Sequence, residues 1–251
     1  MSDHLPTPTD IEAIERATLA AVACADAAEI GGWLAPLNAG TIGRAKSAVP
    51  LRHDLPADPA TLDALEAAYA ERGLTAAFRL ADVPGLGAVR TALAARGYAP
   101  DQPTLVKIGA VADMARAGGA QAEVADTPPD GWADVFLGPG FDAADGAHRV
   151  AVLGRSAGAV YAGVRRQGRM VAVGVASFAH GWASVHGMRT DQAWRGQGLA
   201  GQVLEGLAAA AQARGVARVF LQVEEGNVGA RSLYRARGLA PAWRYSYWRR
   251  P

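Results

Sequence analysis

A glycine-rich turn that opens an amphipathic helix is the feature that most restricts how this chain can fold. The stretch WRGQGLAGQVLEGL runs from Trp194 to Leu207, and its apolar residues then recur at helical spacing as far as about Gly215. Glycine tolerates positive φ, so such a turn exposes the N–H groups that begin the helix. These groups, with about half a positive charge from the helix dipole, favour an anion at this end of the helix.

Two signatures overlap in this turn. Gly196, Gly198 and Gly201 spell G-x-G-x-x-G, which is typical of dinucleotide-binding turns. Arg195, Gly198 and Ala200 spell R-x-x-G-x-A, in which the arginine adds a cation beside a bound diphosphate such as that of acyl-coenzyme A. A glycine turn before a helix is also found with a purely structural role, so the surrounding elements must decide.

The elements around the turn predict a largely antiparallel sheet. A β-hairpin is expected around the Gln167–Gly168 turn, followed by a strand from Trp182 to Met188 and a buried strand from Arg218 to Glu224. A second helix is expected to stop at Gly238, before a closing strand that alternates along WRYSYWR. A dinucleotide fold repeats parallel β-α-β units and places its first glycine directly after a strand, whereas here a polar loop intervenes. The acyl-coenzyme A interpretation therefore explains more of the sequence.

The first half of the chain gives weaker signals. Thr9 and Glu12 fit a capping box, which predicts a helix running to about Ile30. A strand is expected from about Thr104 to Val111. The small residues and prolines that follow predict a boundary between two folded halves near Gly118.

Composition excludes several classes of protein. The chain has 251 residues, of which 50% are hydrophobic, so it can bury a core large enough for one large or two ordinary domains. The 25 basic and 24 acidic residues leave a net charge of +1, which predicts neither nucleic acid nor an anionic membrane as a partner. A single cysteine, Cys24, excludes an internal disulfide, and the polar start lacks the order of a signal peptide, so we expect a cytoplasmic protein.

An internal repeat links the two halves. Residues 71–100 align with residues 213–241 with a one-residue gap. Gly73 then aligns with Gly215 and Phe78 with Phe220 at a shift of 142, while Pro100 aligns with Pro241 at a shift of 141. Self-similarity of this kind indicates a tandem duplication, in which the halves share a fold.

The sequence resembles the GNAT superfamily of acyl-coenzyme A-dependent N-acetyltransferases. RGQGLA is followed by NVGARSLYRARGL, which fits the family pattern N-x-x-A-x-x-L-Y-x-x-x-G-hydrophobic from Asn227 to Leu239. The resemblance covers residues 120–251 well, and the front half resembles two-lobed bacterial members whose first lobe is degenerate. It implies an α/β fold with a mixed, largely antiparallel sheet flanked by helices. It also implies a degenerate lobe at residues 1–117 and a catalytic lobe at residues 118–251.

The resemblance also assigns the donor site, with acetyl-coenzyme A as co-substrate. The strand end would place backbone N–H groups at the donor carbonyl, the glycine turn would bind the diphosphate, and Tyr234 would lie near the coenzyme sulfur and protonate it. Aromatic packing under the coenzyme is the alternative role for Tyr234. Asn227 is either a coenzyme contact or only a helix N-cap. The residues expected at the coenzyme are Met188, Arg189, Thr190, Arg195, Gly196, Gln197, Gly198, Leu199, Ala200, Gly201, Asn227 and Tyr234.

The sequence offers two candidates for the general base. Some family members carry a glutamate five residues before the motif asparagine, but this chain has Gln222, whose amide cannot take a proton. Strand alternation puts Glu224 on the same face, so Glu224 is the first candidate, with His186 on the adjacent strand as the second. Either would act through water, and for both a structural role stays open. The histidines lack metal-ligand spacing, and no metal is predicted.

The first lobe is not expected to bind the coenzyme in the same way. At a shift of 142, Gly196, Gly198 and Ala200 align with Asp54, Pro56 and Asp58. Carboxylates would repel a diphosphate, and proline has no N–H to donate. The first lobe is therefore predicted to have a structural or acceptor-shaping role.

These observations predict an enzyme that moves the acetyl group of acetyl-coenzyme A directly to a primary amine of a small molecule or peptide. The alternative is a non-catalytic acyl-coenzyme A sensor or scaffold, which the missing glutamate at Gln222 would suit. The sequence identifies neither the acceptor nor the preferred acyl chain, and it leaves a homodimer open.

Overall fold

The computed structural model describes residues 6–24, 26–115 and 122–251. Eight helices are described: α1 Pro8–Ala21, α2 Pro59–Ala70, α3 Gly87–Ala95, α4 Val111–Met114, α5 Asp134–Leu137, α6 Ala143–Leu153, α7 Leu199–Ala213 and α8 Val228–Ala236. The strands of the first half are β1 Ala27–Ile30, β2 Trp33–Pro36, β3 Val49–Pro50, β4 Phe78–Ala81 and β5 Ala99–Ala110. Those of the second half are β6 Glu123–Ala125, β7 Val160–Arg166, β8 Arg169–Ala179, β9 Trp182–Thr190, β10 Arg218–Glu224 and β11 Ala240–Arg249.

The main sheet has eight strands in the order β4-β11-β5-β10-β9-β8-β7-β6. All neighbours in it are antiparallel except β9 and β10, which run parallel. A separate sheet of β1, β2 and β3 belongs to the first half of the chain. The predicted fold class, a largely antiparallel sheet flanked by helices, is confirmed.

The second half follows the predicted order. The Gln167–Gly168 turn joins β7 to β8, and both of its residues have positive φ, as a tight two-residue hairpin requires. The strand predicted to end at Met188 continues to Thr190, and the strand from Arg218 to Glu224 is observed with the predicted bounds.

The prediction for the first helix was wrong in both its cap and its length. Thr7, not Thr9, is the N-cap, and its reciprocal partner is Asp10 rather than Glu12. The helix ends at Ala21, and residues 27–30 form β1, which pairs with β2 across the Gly31–Gly32 turn. Helix propensity is a weak preference, and strand pairing overrides it here.

The repeat corresponds to matching elements. Helices α3 and α8 have nine residues each and are offset by 141 positions at both ends. Each follows a strand of the main sheet, β4 or β10, and precedes another, β5 or β11. The halves also exchange strands, since β11 pairs with β4 of the first half and β5 pairs with β10 of the second. The two copies therefore form one continuous sheet.

The hydrophobic core lies on both faces of this sheet. On one face Phe220 and Trp182 pack with Ile14 of α1 and with other residues of the first half. On the other face Leu221 and Val223 pack against Leu204 of α7. The division at residues 117 and 118 stays a prediction, since residues 116–121, including Gly118, lie outside the described residues.

Two features are absent from the described residues. None of their helices is long and apolar enough to cross a membrane. No group of three or more metal-ligating side chains was found among them.

Candidate active site

The parallel strands β9 and β10 separate at the centre of the sheet. They pair over three positions, the last of which joins Val185 to Leu221. Within the described residues this pairing does not continue to His186 or Gln222, although both strands do. The backbone edges that face each other beyond this point are therefore available to a ligand that enters between the strands.

A bulge and a glycine bring about this separation. The register of β8 against β9 shifts between Val173 and Val175, opposite residues 186–189. Gly187 lies in this segment with φ of +61°, a conformation that favours glycine. A Cβ at Gly187 would lie 2.8 Å from the Cδ1 of Leu153, so the strand also passes close to α6 here. Bulges of this kind bend a strand beside functional sites.

The helix that starts after the glycine turn has an open N-terminus. Gly198 is its N-cap with φ of +74°, and Gly196 has φ of +77°. A Cβ at either glycine would meet no atom within 4 Å, and no side chain caps the helix. Within the described residues the N–H groups of residues 196–200 have no acceptor. The turn thus presents unpaired donors to open space, which fits a diphosphate.

Arginines and one aromatic ring border this turn. The guanidinium of Arg195 donates to the carbonyl of Thr190 at 3.3 Å, and that of Arg189 lies 4.3 Å from the ring centre of Phe141. Arg189 also donates to Asp145 at 3.2 Å. Burial lowers the pKa of Arg189, and Arg149 and Arg195 lower it further, so positive charge is concentrated here. Sequence analysis missed Phe141 and Asp145, because neither belongs to a motif.

Tyr234 lies on α8 among the buried residues beneath α7. It is 6% exposed, and burial raises the pKa of its hydroxyl to about 12. The hydroxyl therefore stays protonated at neutral pH, as a proton donor must. It belongs to the same buried cluster as Leu221 and Val223 of β10.

Asn227 and Glu224 lie at the exposed end of β10. The side chain of Asn227 accepts from the N–H of Ala230 at 3.1 Å. Asn227 is therefore the N-cap of α8, which is one of the two roles that the sequence allowed for it. Glu224 accepts from Gln102 Nε2 at 2.7 Å and is exposed to solvent.

A small pocket lies between the halves of the chain at the strand separation. We call it the interlobe pocket; its enclosed volume is about 10 Å³, it opens to solvent, and its walls include Thr18, Arg44, Ser184, His186, Phe220 and Gln222. The predicted candidate His186 therefore faces this pocket, while the other candidate, Glu224, does not line it.

The polar side chains of the pocket are held by hydrogen bonds. Gln222 donates through Nε2 to Thr18 at 2.9 Å and accepts through Oε1 from Tyr245 at 2.8 Å. The ring nitrogens of His186 lie 3.4 Å from the hydroxyls of Ser177 and Ser184. Burial lowers the pKa of His186 to about 3, with a further contribution from Arg44, so its imidazole is neutral at pH 7.

The first half has a corresponding helix, but its N-terminus is closed. Asp58 is the N-cap of α2, and its carboxylate accepts from the N–H groups of Ala60 and Thr61. The donors that would bind a diphosphate are thus occupied by an anion of the chain itself. This supports the expectation that the first lobe does not bind coenzyme in the same way.

Comparisons with known proteins agree with this arrangement. Residues 8–248 match the family model described as "Probable histone acetyltransferase Rv0428c C-terminal". No curated protein matches the chain.

Solved structures share the fold. A GCN5-related N-acetyltransferase from Kribbella flavida has a TM-score of 0.68 at 21% identity, covering 95% of this chain and 94% of that one. A functionally unknown conserved protein from Staphylococcus epidermidis has a TM-score of 0.64 at 9% identity, covering 88% and 91%. A tandem GNAT protein from the clavulanic acid biosynthesis pathway has a TM-score of 0.58 at 17% identity, covering 80% and 74%.

Identities this low show the fold alone, but the family model spans nearly the whole chain. Together with the separated strands and the open glycine turn, it identifies this protein as a member of that acetyltransferase family within the GNAT superfamily, an enzyme that uses acyl-coenzyme A as its donor.

Proposed function

We propose that this enzyme transfers the acetyl group of acetyl-coenzyme A directly to a primary amine bound in the interlobe pocket. The observation that carries the proposal is the separation of β9 from β10 after Val185 and Leu221, with the interlobe pocket at that same point. A donor thioester entering between the strands would meet an acceptor held on the face covered by the first half.

The reaction joins the amine nitrogen to the acetyl carbon and breaks the bond from that carbon to sulfur. The amine must be neutral to attack and loses a proton afterwards, while the leaving thiolate gains one. An alkyl ammonium has a pKa near 10.4 and a thiol one of about 8.5, so removing the amine proton is the harder task. Transfer without a covalent enzyme intermediate rests on family analogy.

Binding and transfer of the acetyl group would use groups of three parts of the chain. Backbone N–H groups of Met188, Arg189 and Thr190, at the end of β9, would stabilise charge on the carbonyl oxygen. The turn residues from Arg195 to Gly201 would bind the diphosphate, with Arg195 as the nearby cation. Asn227 would keep its capping role beside the pantetheine.

Tyr234 is the proposed proton donor to the thiolate. Two observations support this role: its raised pKa keeps the hydroxyl protonated, and Tyr234 shares a buried cluster with residues of β10 and α7. A thiolate is a good leaving group already, so this proton transfer adds a modest factor to the rate.

His186 is the proposed first acceptor of the amine proton. It lines the interlobe pocket and is neutral at pH 7, so the ring nitrogen that carries no proton could accept one in place of its contact with a serine hydroxyl. A group with so low a pKa holds the proton only briefly, and Glu224 at the exposed end of β10 would accept it through water. The order of the two sequence candidates is thus reversed, because only His186 contacts the pocket.

Acceptor-dependent release of coenzyme A thiol tests this function. With acetyl-coenzyme A and a panel of amines, we expect release that requires both an amine and the chain. An acyl-coenzyme A sensor would instead be stabilised by acetyl-coenzyme A and release no thiol with any amine, which would refute the proposal.

A further inference from the structure

The interlobe pocket is lined by a cation, Arg44, that has no partner within the described residues. Arg44 follows the start of a 3-10 turn at Gly43–Ala45 and is half-buried. Within the described residues its guanidinium has no hydrogen bond and no salt bridge. Other buried or half-buried arginines do, such as Arg79 with Glu15 and Arg237 with Glu205. Burying a guanidinium costs free energy unless an anion compensates it, so the missing partner points to a ligand.

The other walls of the pocket supply no negative charge. No residue that lines it is an aspartate or glutamate, within the described part of the chain. The nearest polar groups are neutral side chains: the hydroxyls of Thr18 and Ser184, the amide of Gln222 and the imidazole of His186. Glu15, on the same helix as Thr18, is already bound to Arg79 by two hydrogen bonds.

Charge and size together restrict the acceptor. Among the described residues the pocket has one unpaired arginine and no carboxylate, so it repels a segment rich in lysine and attracts an anion. The enclosed space is about 10 Å³, room for about one water-sized group, so an acceptor must be small and must extend into the opening. Arg44 and His186 line the same small space, so an anion at Arg44 and an amine at His186 belong to one compact molecule.

We propose that the acceptor is a small amine that also carries a carboxylate, and that Arg44 binds this carboxylate. The planar guanidinium presents two parallel N–H groups to a carboxylate, which fixes the orientation of the molecule. The amine is then directed to the strand separation beside His186. The first lobe thereby contributes a specificity residue to the acceptor site. This inference rests on the proposed function, because it names the substrate class of the same pocket.

Matched pairs of acceptors test the charge requirement. Glycine, β-alanine and other common amino acids are compared with their primary amides in the thiol-release assay. The amides keep the reacting amine and lose the carboxylate charge, and kcat/KM is compared per neutral amine because amidation also lowers the pKa of the amine. We expect the acids to have a kcat/KM about 10- to 100-fold higher than the amides, which is the range for a hydrogen bond to a charged group.

Variants of Arg44 assign this preference to the residue. Arg44→Gln is expected to raise the KM for the acids by a similar factor, with little change in kcat or in the KM for acetyl-coenzyme A. Arg44→Lys keeps the charge and should retain part of the preference. Arg72→Gln is the control, since Arg72 pairs with Asp26 in the same half and does not line the pocket. Circular dichroism checks that each variant is folded.

The outcomes separate this inference from the proposed function. Equal turnover of acids and amides, a preference unchanged by Arg44→Gln, or a preference for lysine-rich peptides would overturn the carboxylate site while leaving acetyl transfer intact. If no amine supports thiol release, the proposed function is refuted. Calorimetric titration with N-acetylglycine in the presence of coenzyme A then tests the carboxylate site by itself. Weaker binding to Arg44→Gln than to the unaltered chain supports the site, whereas equal binding to both proteins, or no binding to the unaltered chain, overturns it.

Discussion

The side-chain amide of Gln222 donates to the hydroxyl of Thr18 at 2.9 Å, across 204 residues of sequence. Thr18 in turn donates to the carbonyl of Ile14 at 2.8 Å, and Gln222 accepts from Tyr245. Each hydroxyl or amide in this series donates to the next, from Tyr245 through Gln222 and Thr18 to the carbonyl of Ile14. Gln222 is therefore both an acceptor and a donor. A glutamine fits this arrangement at the position where some relatives of the superfamily carry glutamate.

Gln222→Glu should destabilise the protein at neutral pH. An ionised carboxylate cannot donate to Thr18, and the loss of a buried hydrogen bond costs about 1–3 kcal/mol. The loss should shrink as pH falls, because a protonated carboxyl can donate again. Urea denaturation at several pH values measures this, with the exposed Gln212→Glu as control. Equal destabilisation at every pH would contradict the proposed donor role.

Gly198→Glu should abolish coenzyme A binding without unfolding the chain. The new side chain meets open space, so the cost is mainly that of positive φ, about 1–2 kcal/mol. Its negative charge lies where the diphosphate is proposed to bind. Gly215→Glu is a matched control, since Gly215 has φ of +70° and equally open surroundings just beyond the other end of α7. Unchanged calorimetric affinity in Gly198→Glu would refute the diphosphate site.

Tyr234→Phe should lower kcat by roughly 10-fold or less and leave the affinity for coenzyme A unchanged. The effect is modest because a thiolate leaves readily without a proton. Tyr98→Phe removes a hydroxyl that donates to Glu66 in the first half and serves as control. If turnover of Tyr234→Phe equals that of the unaltered enzyme from acid to alkaline pH, the tyrosine only packs against its neighbours.

The pH dependence of kcat/KM should follow the amine of the acceptor. His186 has a pKa of about 3, so it is already deprotonated throughout the range from pH 5 to 9. The rate should therefore rise with pH as neutral amine accumulates, without an inflection near pH 6.5. An inflection there that disappears in His186→Gln would show that the histidine titrates at its ordinary pKa during turnover.

Stability should fall as pH drops below about 6.5, the pKa of histidine in the unfolded chain. Burial lowers the pKa of His186 to about 3 and that of His53 to about 4. Between these values and 6.5 the unfolded chain binds protons that the folded chain does not, so the free energy of unfolding decreases with falling pH.

His186→Gln should make this loss smaller between pH 6.5 and 5, above the range in which most carboxylates titrate. Denaturant unfolding across that interval measures it. His180→Gln is the control, because His180 lies in the turn between β8 and β9 and outside the buried core. A pH dependence that is the same in both variants would place the responsible groups elsewhere.

Local sequence was sufficient for the elements of the second half. The Gln167–Gly168 turn, the stop at Gly238 and the stripe on α7 each depend on residues close together in the chain. The same holds for the open turn at Gly196 and Gly198, because positive φ followed by a helix is a local property. Local signals failed at residues 27–30, where pairing with β2 decided the conformation.

The sequence by itself determined the superfamily, the donor motifs and the repeat, since all three are patterns along the chain. Only the tertiary structure placed Thr18 and Arg44 beside His186 and left Glu224 outside the pocket. These residues meet because the halves exchange β5 and β11 and so bring α1 onto the face of β9 and β10. Contacts between residues so far apart in sequence depend on how the sheet assembles, and no short-range pattern in the chain encodes them.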